Sequence, residues 1–303
     1  MSMANSRRVW FITGASTGFG RILAEQVLAK GDRVVATARK PEQIADLTHN
    51  HPETALALAL DVTDNNAAEV AVDTAIKQFG RIDALVNNAG YGLAGAIEEA
   101  VEDEYMPVFE TNVFGLISVT RNVLPHLRKQ RSGHIVNLSS IGGLIGSPGW
   151  GYYNASKFAV EGFSEALAAE LAPLGIHVTI VEPGPFRTDF LGRSGVEAQQ
   201  RIADYDQTAG KTRQYFHDHA GKQAGDPAKA AAAIIAAVEA ENPPKHLVLG
   251  KIAYNRMTQR LDQWKHELET WRDLSLGADY DDALDPGSAK AYPATLPSAS
   301  GGK

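Results

Sequence analysis

The chain contains no cysteine. Disulfides, a thiolate nucleophile and cysteine-ligated zinc are therefore excluded at the outset. Nowhere does it approach the ~20 consecutive apolar residues that a membrane-crossing helix needs. Its one early apolar run, Val9 to Thr13, is too short for the core of a secretory leader. Positive charge is scarce relative to negative, since 29 Lys and Arg against 36 Asp and Glu leave a formal net charge of −7. Without a basic excess there is no electrostatic footprint for nucleic acid or an anionic membrane. The expectation is a cytoplasmic protein that binds neither. Histidines at metal-binding spacing are also lacking. His49/His51 and His217/His219 are two apart, which does not bring both rings to one helical face, so no metal site is expected.

What is present is a chain of 303 residues, 44% hydrophobic and 21% charged, ample for a large core. Short β-branched runs fall at 8–13, 33–38, 56–60, 82–88, 134–138, 176–182 and 246–250, several of them apolar almost throughout. Such runs suit parallel strands covered on both faces. Helical patterns lie between them, near 18–30, 64–79, 103–131, 152–174 and 226–241. This alternation predicts an α/β fold: a doubly wound parallel sheet of about seven strands with helices on both faces. Asp226 and Pro227 read as the cap and first turn of the last of these helices. Asn112, Gly115 and Pro125 interrupt the 103–131 pattern and predict a kink. Residues 1–284 are expected to form a single domain, with an aperiodic lid or loop region at 189–225 and a helical extension at 251–284. The Pro-, Ser- and Gly-rich tail at 285–303 is expected to be disordered. Trp264 and Trp271, seven apart, read as a buried helical stripe or a subunit contact.

After the first strand comes "TGASTGFG", with Gly14, Gly18 and Gly20, and then a helical pattern. Glycines at a strand-to-helix turn let backbone N–H groups approach a pyrophosphate, and the helix dipole favours its charge. The spacing is wider than the common dinucleotide fingerprint, so the signal lies in its placement. Ser16 and Thr17 add hydroxyls to the same turn. The second strand ends "ATARK", where an acidic residue would bond the ribose of NAD; Arg39 stands there instead and suits the 2′-phosphate of NADP. Asp61, in "LDVTD", either bonds the adenine amino group or caps the next helix.

Further along, "GYYNASK" (151–157) places two tyrosines before a lysine. On a helix Tyr153 shares a face with Lys157, whereas Tyr152 is rotated by about 100°. A nearby ammonium favours a phenolate, lowering its pKa from about 10. Spacing alone fits a surface Tyr/Lys pair equally well.

The stretches "TGASTGFG" (13–20), "DVT" (61–63), "NNAG" (87–90), "TNVFG" (111–115), "IVNLSS" (135–140), "YNASK" (153–157) and "PGPFRT" (183–188) together resemble the short-chain dehydrogenases/reductases, a Rossmann-type family. The resemblance covers roughly 7–250. It implies a catalytic set of Asn112, Ser140, Tyr153 and Lys157. Tyr153 would be the acid or base, Ser140 would bond the substrate oxygen, Lys157 would depress the tyrosine pKa and bind the nicotinamide ribose, and Asn112 would hold a relay water. It also implies a cofactor site of Gly14, Ser16, Thr17, Gly18, Phe19, Gly20, Arg39, Asp61, Val62, Asn88, Gly90, Tyr153, Lys157, Pro183, Gly184 and Thr188. Arg39 matches the NADP-preferring members, whereas Thr17 stands where some carry a second basic residue, so NADP(H) over NAD(H) rests on one position. Ser139 replaces Ser140 if the loop register differs, and Asn87 reads as a backbone satisfier at the strand end. The implied function is NADP-dependent hydride transfer between nicotinamide and a carbonyl or secondary alcohol, by a homodimer or homotetramer. The "ATARKPEQ" stretch is similar to the branch with hydroxysteroid and retinol dehydrogenase-like members. Leu93, Ile141, Leu144, Ile145, Trp150, Phe186 and Phe190 suggest a pocket for a lipophilic small molecule. Two other readings are a non-catalytic NADP-binding sensor and an epimerase or dehydratase; the intact catalytic set argues against the sensor, and the compact region after the sheet against the other two activities.

Overall fold

The computed structural model describes residues 7–192, 195–280 and 282–283; the tail expected at 285–303 lies outside them. The chain divides into two compact units, Met1–Met257 and Thr258–Lys303. In chain order the first holds β1 Val9–Ile12, α1 Gly18–Ala29, β2 Arg33–Ala38, α2 Ala45–Asn50, β3 Ala55–Ala59, α3 Asn65–Phe79, β4 Ala84–Asn87, β5 Gly92–Ala94, α4 Glu102–Phe109, α5 Leu116–Gln130 and β6 Gly133–Leu138. There follow α6 Gly151–Leu171, β7 Ile176–Pro183, β8 Gly195–Glu197, α7 Lys211–His219, α8 Pro227–Glu239, β9 His246–Leu249 and the start of α9 Lys251–Thr270. All seven predicted strands form one parallel sheet in the order β3-β2-β1-β4-β6-β7-β9.

The two-residue period of each strand divides its side chains between two cores. Trp10, Ile12, Val34, Ala36, Val86 and Val136 face one side, where Leu23, Val27, Ile234 and Val238 of α1 and α8 cover them. Val9, Phe11, Val35, Leu85 and Ile135 face the other, under Val72 of α3, Val119 and Val123 of α5 and Leu167 of α6. The strand order reverses between β1 and β4, and in such sheets ligands bind beyond the carboxyl ends of the strands at that reversal.

Local chemistry sets the helix ends. Asp64 accepts from the Asn66 and Ala67 amides to open α3, and Asp226 accepts from Ala228 to open α8 ahead of Pro227. Asp61 does not cap α3; its Oδ1 accepts from the amide and hydroxyl of Thr63. The kink expected within 103–131 is a π turn at Glu110–Gly115 between α4 and α5. The 189–225 stretch is more structured than its lack of period suggests: β8 pairs with β5, and α7 is seated by Arg213, whose guanidinium forms a buried ion pair with Glu99. That carboxylate also accepts from the Ala96 and Ile202 amides, so every lone-pair direction has a partner.

In the second unit, α9 continues and α10 Arg272–Leu276 follows. Trp264 and Trp271 are exposed and form no buried stripe within it; the Arg260 guanidinium lies over the Trp264 ring at 4.4 Å. Among the described residues no helix is long and apolar enough to cross a membrane.

Candidate active site

A cleft of about 1050 Å³ opens at the strand-order reversal. Every site residue expected from the sequence lines it except Gly20 and Asn112. At one end lies the turn between β1 and α1. Gly14 has φ +65°, and a side chain there would stand 2.9 Å from the Ala89 Cα. Asn88 donates from Nδ2 to the carbonyls of Thr13 and Gly14, both at 2.9 Å, which fixes the turn and engages the amide within the protein. Gly20 packs behind it, where a Cβ would strike that same amide. Unlike α3 and α8, α1 has no side-chain cap, and its first turn holds no acidic residue. Its uncovered N–H groups and positive dipole end fit a phosphate group. Arg39 lines the same end; among the described residues it forms no ion pair, whereas Arg21 nearby is taken up by Glu25 and Asp46. These features fit the phosphates of a dinucleotide.

At the other end are Ser140, Tyr153 and Lys157. Tyr153 sits in the first turn of α6, 8% exposed, against the edges of Trp150 and Phe190. Burial pushes its phenol up to about 12, while the Ser140 hydroxyl pulls the other way. Ser140 Oγ also accepts from the Gly142 amide, which holds it toward the cleft. The neighbouring Ser139 hydroxyl faces Glu161 and does not engage Tyr153. Lys157 Nζ donates to the Leu138 carbonyl at 2.7 Å and stands 5.9 Å from the Tyr153 ring centre. Burial lowers its pKa to about 8, with the Glu161 carboxylate opposing. The expected depression of the tyrosine by this lysine is not seen: burial raises the phenol, and the group that opposes it is the Ser140 hydroxyl.

Asn112 is buried behind the cleft in the π turn. Its Oδ1 accepts from the Tyr91 amide, and its Nδ2 donates to the Tyr91 carbonyl and to Ser156 Oγ. The side chain thus ties the turn to the segment after β4 and to α6, with no amide hydrogen left for a water. Asn87 is likewise more than a strand-end satisfier, donating to Thr120 Oγ1 and Asn137 Oδ1 in the sheet interior. Tyr152 points away, its hydroxyl on the Ile97 carbonyl and its ring stacked on Tyr105.

Of the residues expected around the substrate, Ile141, Trp150, Phe186 and Phe190 line the cleft; Leu93, Leu144 and Ile145 do not. Leu93 is buried in a small core with Val108 and Ala198. The sequence reading missed Val196, Thr212, Tyr215, Ile252 and Arg256 on the outer wall. It also missed Asn154, whose side chain bonds Gly142 and Ser147 and fixes the loop carrying Ser140. Asn154 was within reach, as it follows Tyr153 directly.

The family model for short chain dehydrogenases matches residues 8–198. An oxidoreductase of Botryotinia fuckeliana is 40% identical over 272 residues, 89% of this chain and 99% of the relative. A 3-ketodihydrosphingosine reductase of Bacteroides thetaiotaomicron is 39% identical over 246 residues, 81% and 88% of the two chains. The crystal structure of a short-chain dehydrogenase from Streptomyces avermitilis aligns at 44% identity with a TM-score of 0.85, covering 91% of this chain and 100% of that one. A cleft at the sheet reversal, a glycine turn under an uncapped helix, and a tyrosine and lysine one helical turn apart thus sit in a chain that belongs to the short chain dehydrogenase family and is an oxidoreductase acting on alcohol and carbonyl groups.

Proposed function

We propose that the chain is an NADP(H)-preferring oxidoreductase for a lipophilic ketone or secondary alcohol. The observation that carries the cofactor preference is Arg39, on the cleft wall at the end of β2 without an acidic partner. The turn from Gly14 to Gly20, with Ser16, Thr17, Phe19 and the α1 amides, would hold the pyrophosphate. Asp61, Val62 and Gly90 would flank the adenosine, with Asn88 as the clamp that keeps the turn in shape. Pro183, Gly184, Thr188 and Lys157 would hold the nicotinamide end. When bound, the dinucleotide supplies or takes up the hydride.

The protein's part is the proton and the charge on the substrate oxygen. With its pKa raised, the Tyr153 phenol is protonated at neutral pH and donates its Oη proton as a carbonyl oxygen becomes an alcohol; in the opposite direction Tyr153 Oη receives that proton. Ser140 Oγ hydrogen-bonds the same oxygen as charge develops on it. The Lys157 ammonium stabilises the phenolate left on Tyr153. Asn112 acts by holding the Tyr91 backbone and α6 in place. Trp150, Phe186 and Phe190 supply the apolar wall that favours a lipophilic substrate.

Fluorescence titration with NADPH and NADH tests the cofactor reading. Tighter NADPH binding is expected, with Arg39→Ala removing most of the difference. A charge-assisted contact at an exposed guanidinium contributes about 1.5 kcal/mol, or roughly tenfold. Equal affinities in the unaltered protein would overturn it.

A further inference from the structure

One helical turn beyond Lys157 along α6, outside the cleft lining, side chains from three elements converge. Glu161 comes from α6, Glu182 from β7 and His246 from β9, and one ligand-capable atom of each lies within 4.8 Å of the others. Both carboxylates are removed from solvent, Glu182 at 0% and Glu161 at 6% exposure. Ser139 is the hydroxyl beside Glu161, yet neither Glu161 oxygen takes part in a well-formed hydrogen bond, and Oε2 of Glu182 has none either. Glu182 Oε1 is 2.7 Å from His246 Nδ1, and Glu161 Oε2 is 3.9 Å from the same nitrogen. On the solvent side, Glu165 Oε1 is 3.5 Å from His246 Nε2. Among the described residues no lysine or arginine forms an ion pair with either buried carboxylate.

Buried carboxylates with empty lone pairs are costly unless a proton or a cation neutralises them. Two carboxylates and one neutral imidazole balance the charge of a divalent ion. Metal-to-ligand bonds of about 2.0–2.2 Å in a tetrahedral site put ligand atoms roughly 3.3 Å apart, and the 2.7 and 3.9 Å separations lie on either side of that value. Oxygen, oxygen and imidazole nitrogen form a borderline donor set that suits zinc or manganese better than calcium or magnesium. His246 is 35% exposed on its side chain, which leaves a route in and an open fourth position.

We propose that Glu161, Glu182 and His246 form a divalent-cation site for a borderline metal such as zinc. Binding moves the imidazole proton from Nδ1, which takes up the metal, to Nε2, which then donates to Glu165. Glu165 thereby orients the ring as an outer carboxylate partner. The competing account keeps the site metal-free, with protons alone neutralising the carboxylates; burial does push Glu161 up to about 7.

Calorimetric titration of zinc chloride, and separately manganese chloride, into tag-free, chelator-dialysed, full-length protein tests this. One saturable zinc per chain is expected, with at least tenfold weaker binding in Glu161→Gln and in His246→Gln and no change in His217→Gln. Circular dichroism checks that each variant is folded, and the half-exposed His246 position provides a second variant should the buried one fail. Zinc should also raise the melting temperature of the unaltered protein but not of these two variants. Absence of one-to-one binding, or equal affinity in both Glu161→Gln and His246→Gln, overturns the proposal. In the second case the ion sits elsewhere, as at His217 beside Glu197, 2.8 Å apart.

Discussion

Replacing Tyr153 by phenylalanine removes a single oxygen, and the surroundings isolate what that oxygen does. The ring contacts with Trp150, centroids 5.5 Å apart, and with Phe190, at 5.4 Å, do not involve the hydroxyl, so the apolar wall survives. The lost bond is the one to Ser140, which keeps its contact with the Gly142 amide. A stability change within about 1 kcal/mol follows. The loss of a positioned acid, in contrast, lowers turnover by roughly 10²–10⁴-fold, equivalent to about 3–5 kcal/mol of barrier. Tyr152→Phe is the matched control: it breaks an exposed bond to the Ile97 carbonyl and keeps the stack on Tyr105. Turnover is followed by NADPH absorbance with a ketone chosen from a panel, and cofactor affinity by fluorescence. The expected pattern is a kcat collapse in Tyr153→Phe with cofactor binding intact, and less than threefold change in Tyr152→Phe. More than a tenth of kcat/KM surviving in Tyr153→Phe would refute the assignment, as would a collapse confined to Tyr152→Phe.

Two further outcomes concern stability. His134 is buried beside Thr179, its Nε2 2.8 Å from Oγ1, and burial lowers its pKa to about 4 from 6.5. The unfolded chain therefore takes up that proton first, so the contribution is present above pH 6.5 and is lost as pH falls toward 4. Urea unfolding should show the unaltered protein losing ~2 kcal/mol more than His134→Gln between pH 7 and pH 5, and parallel losses would rule the effect out. Arg213→Met leaves the Glu99 carboxylate buried without its cation and should cost about 3–5 kcal/mol of unfolding free energy. Thermal melts read this directly, and a melting temperature within a degree of the parent would show that the pair contributes nothing.

The sheet was legible because its strands are covered on both faces, and nearly unbroken apolar runs such as "VWFI" leave little else to form. The glycine turn and the Tyr153/Lys157 pair were legible because local spacing determines them. What escaped is non-local or too short for a period. β5 and β8 have three residues each, and α2 has six. The polar α7 owes its seat to Glu99, 114 residues earlier in the chain. Asn112 was found as a position, yet its partners could not be, since they lie on the segment after β4 and on α6. Tyr153 was chosen correctly as the face-sharing partner of Lys157. The direction of its pKa was not, because helical spacing does not register how deeply the phenol is buried.

The short β5–β8 ribbon is a seam between two halves of the chain. Residues before it build the glycine turn, Arg39 and Asp61, while Val196, Thr212, Tyr215 and Arg256, at or beyond it, build the outer wall. Its register is pinned by Leu93 and Ala198 in their own small core, and a slip of one residue would turn Leu93 toward solvent. The outer wall is therefore fastened to the segment after β4 through this short pairing, so a change at Val196 can reshape the rim of the cleft without touching the glycine turn.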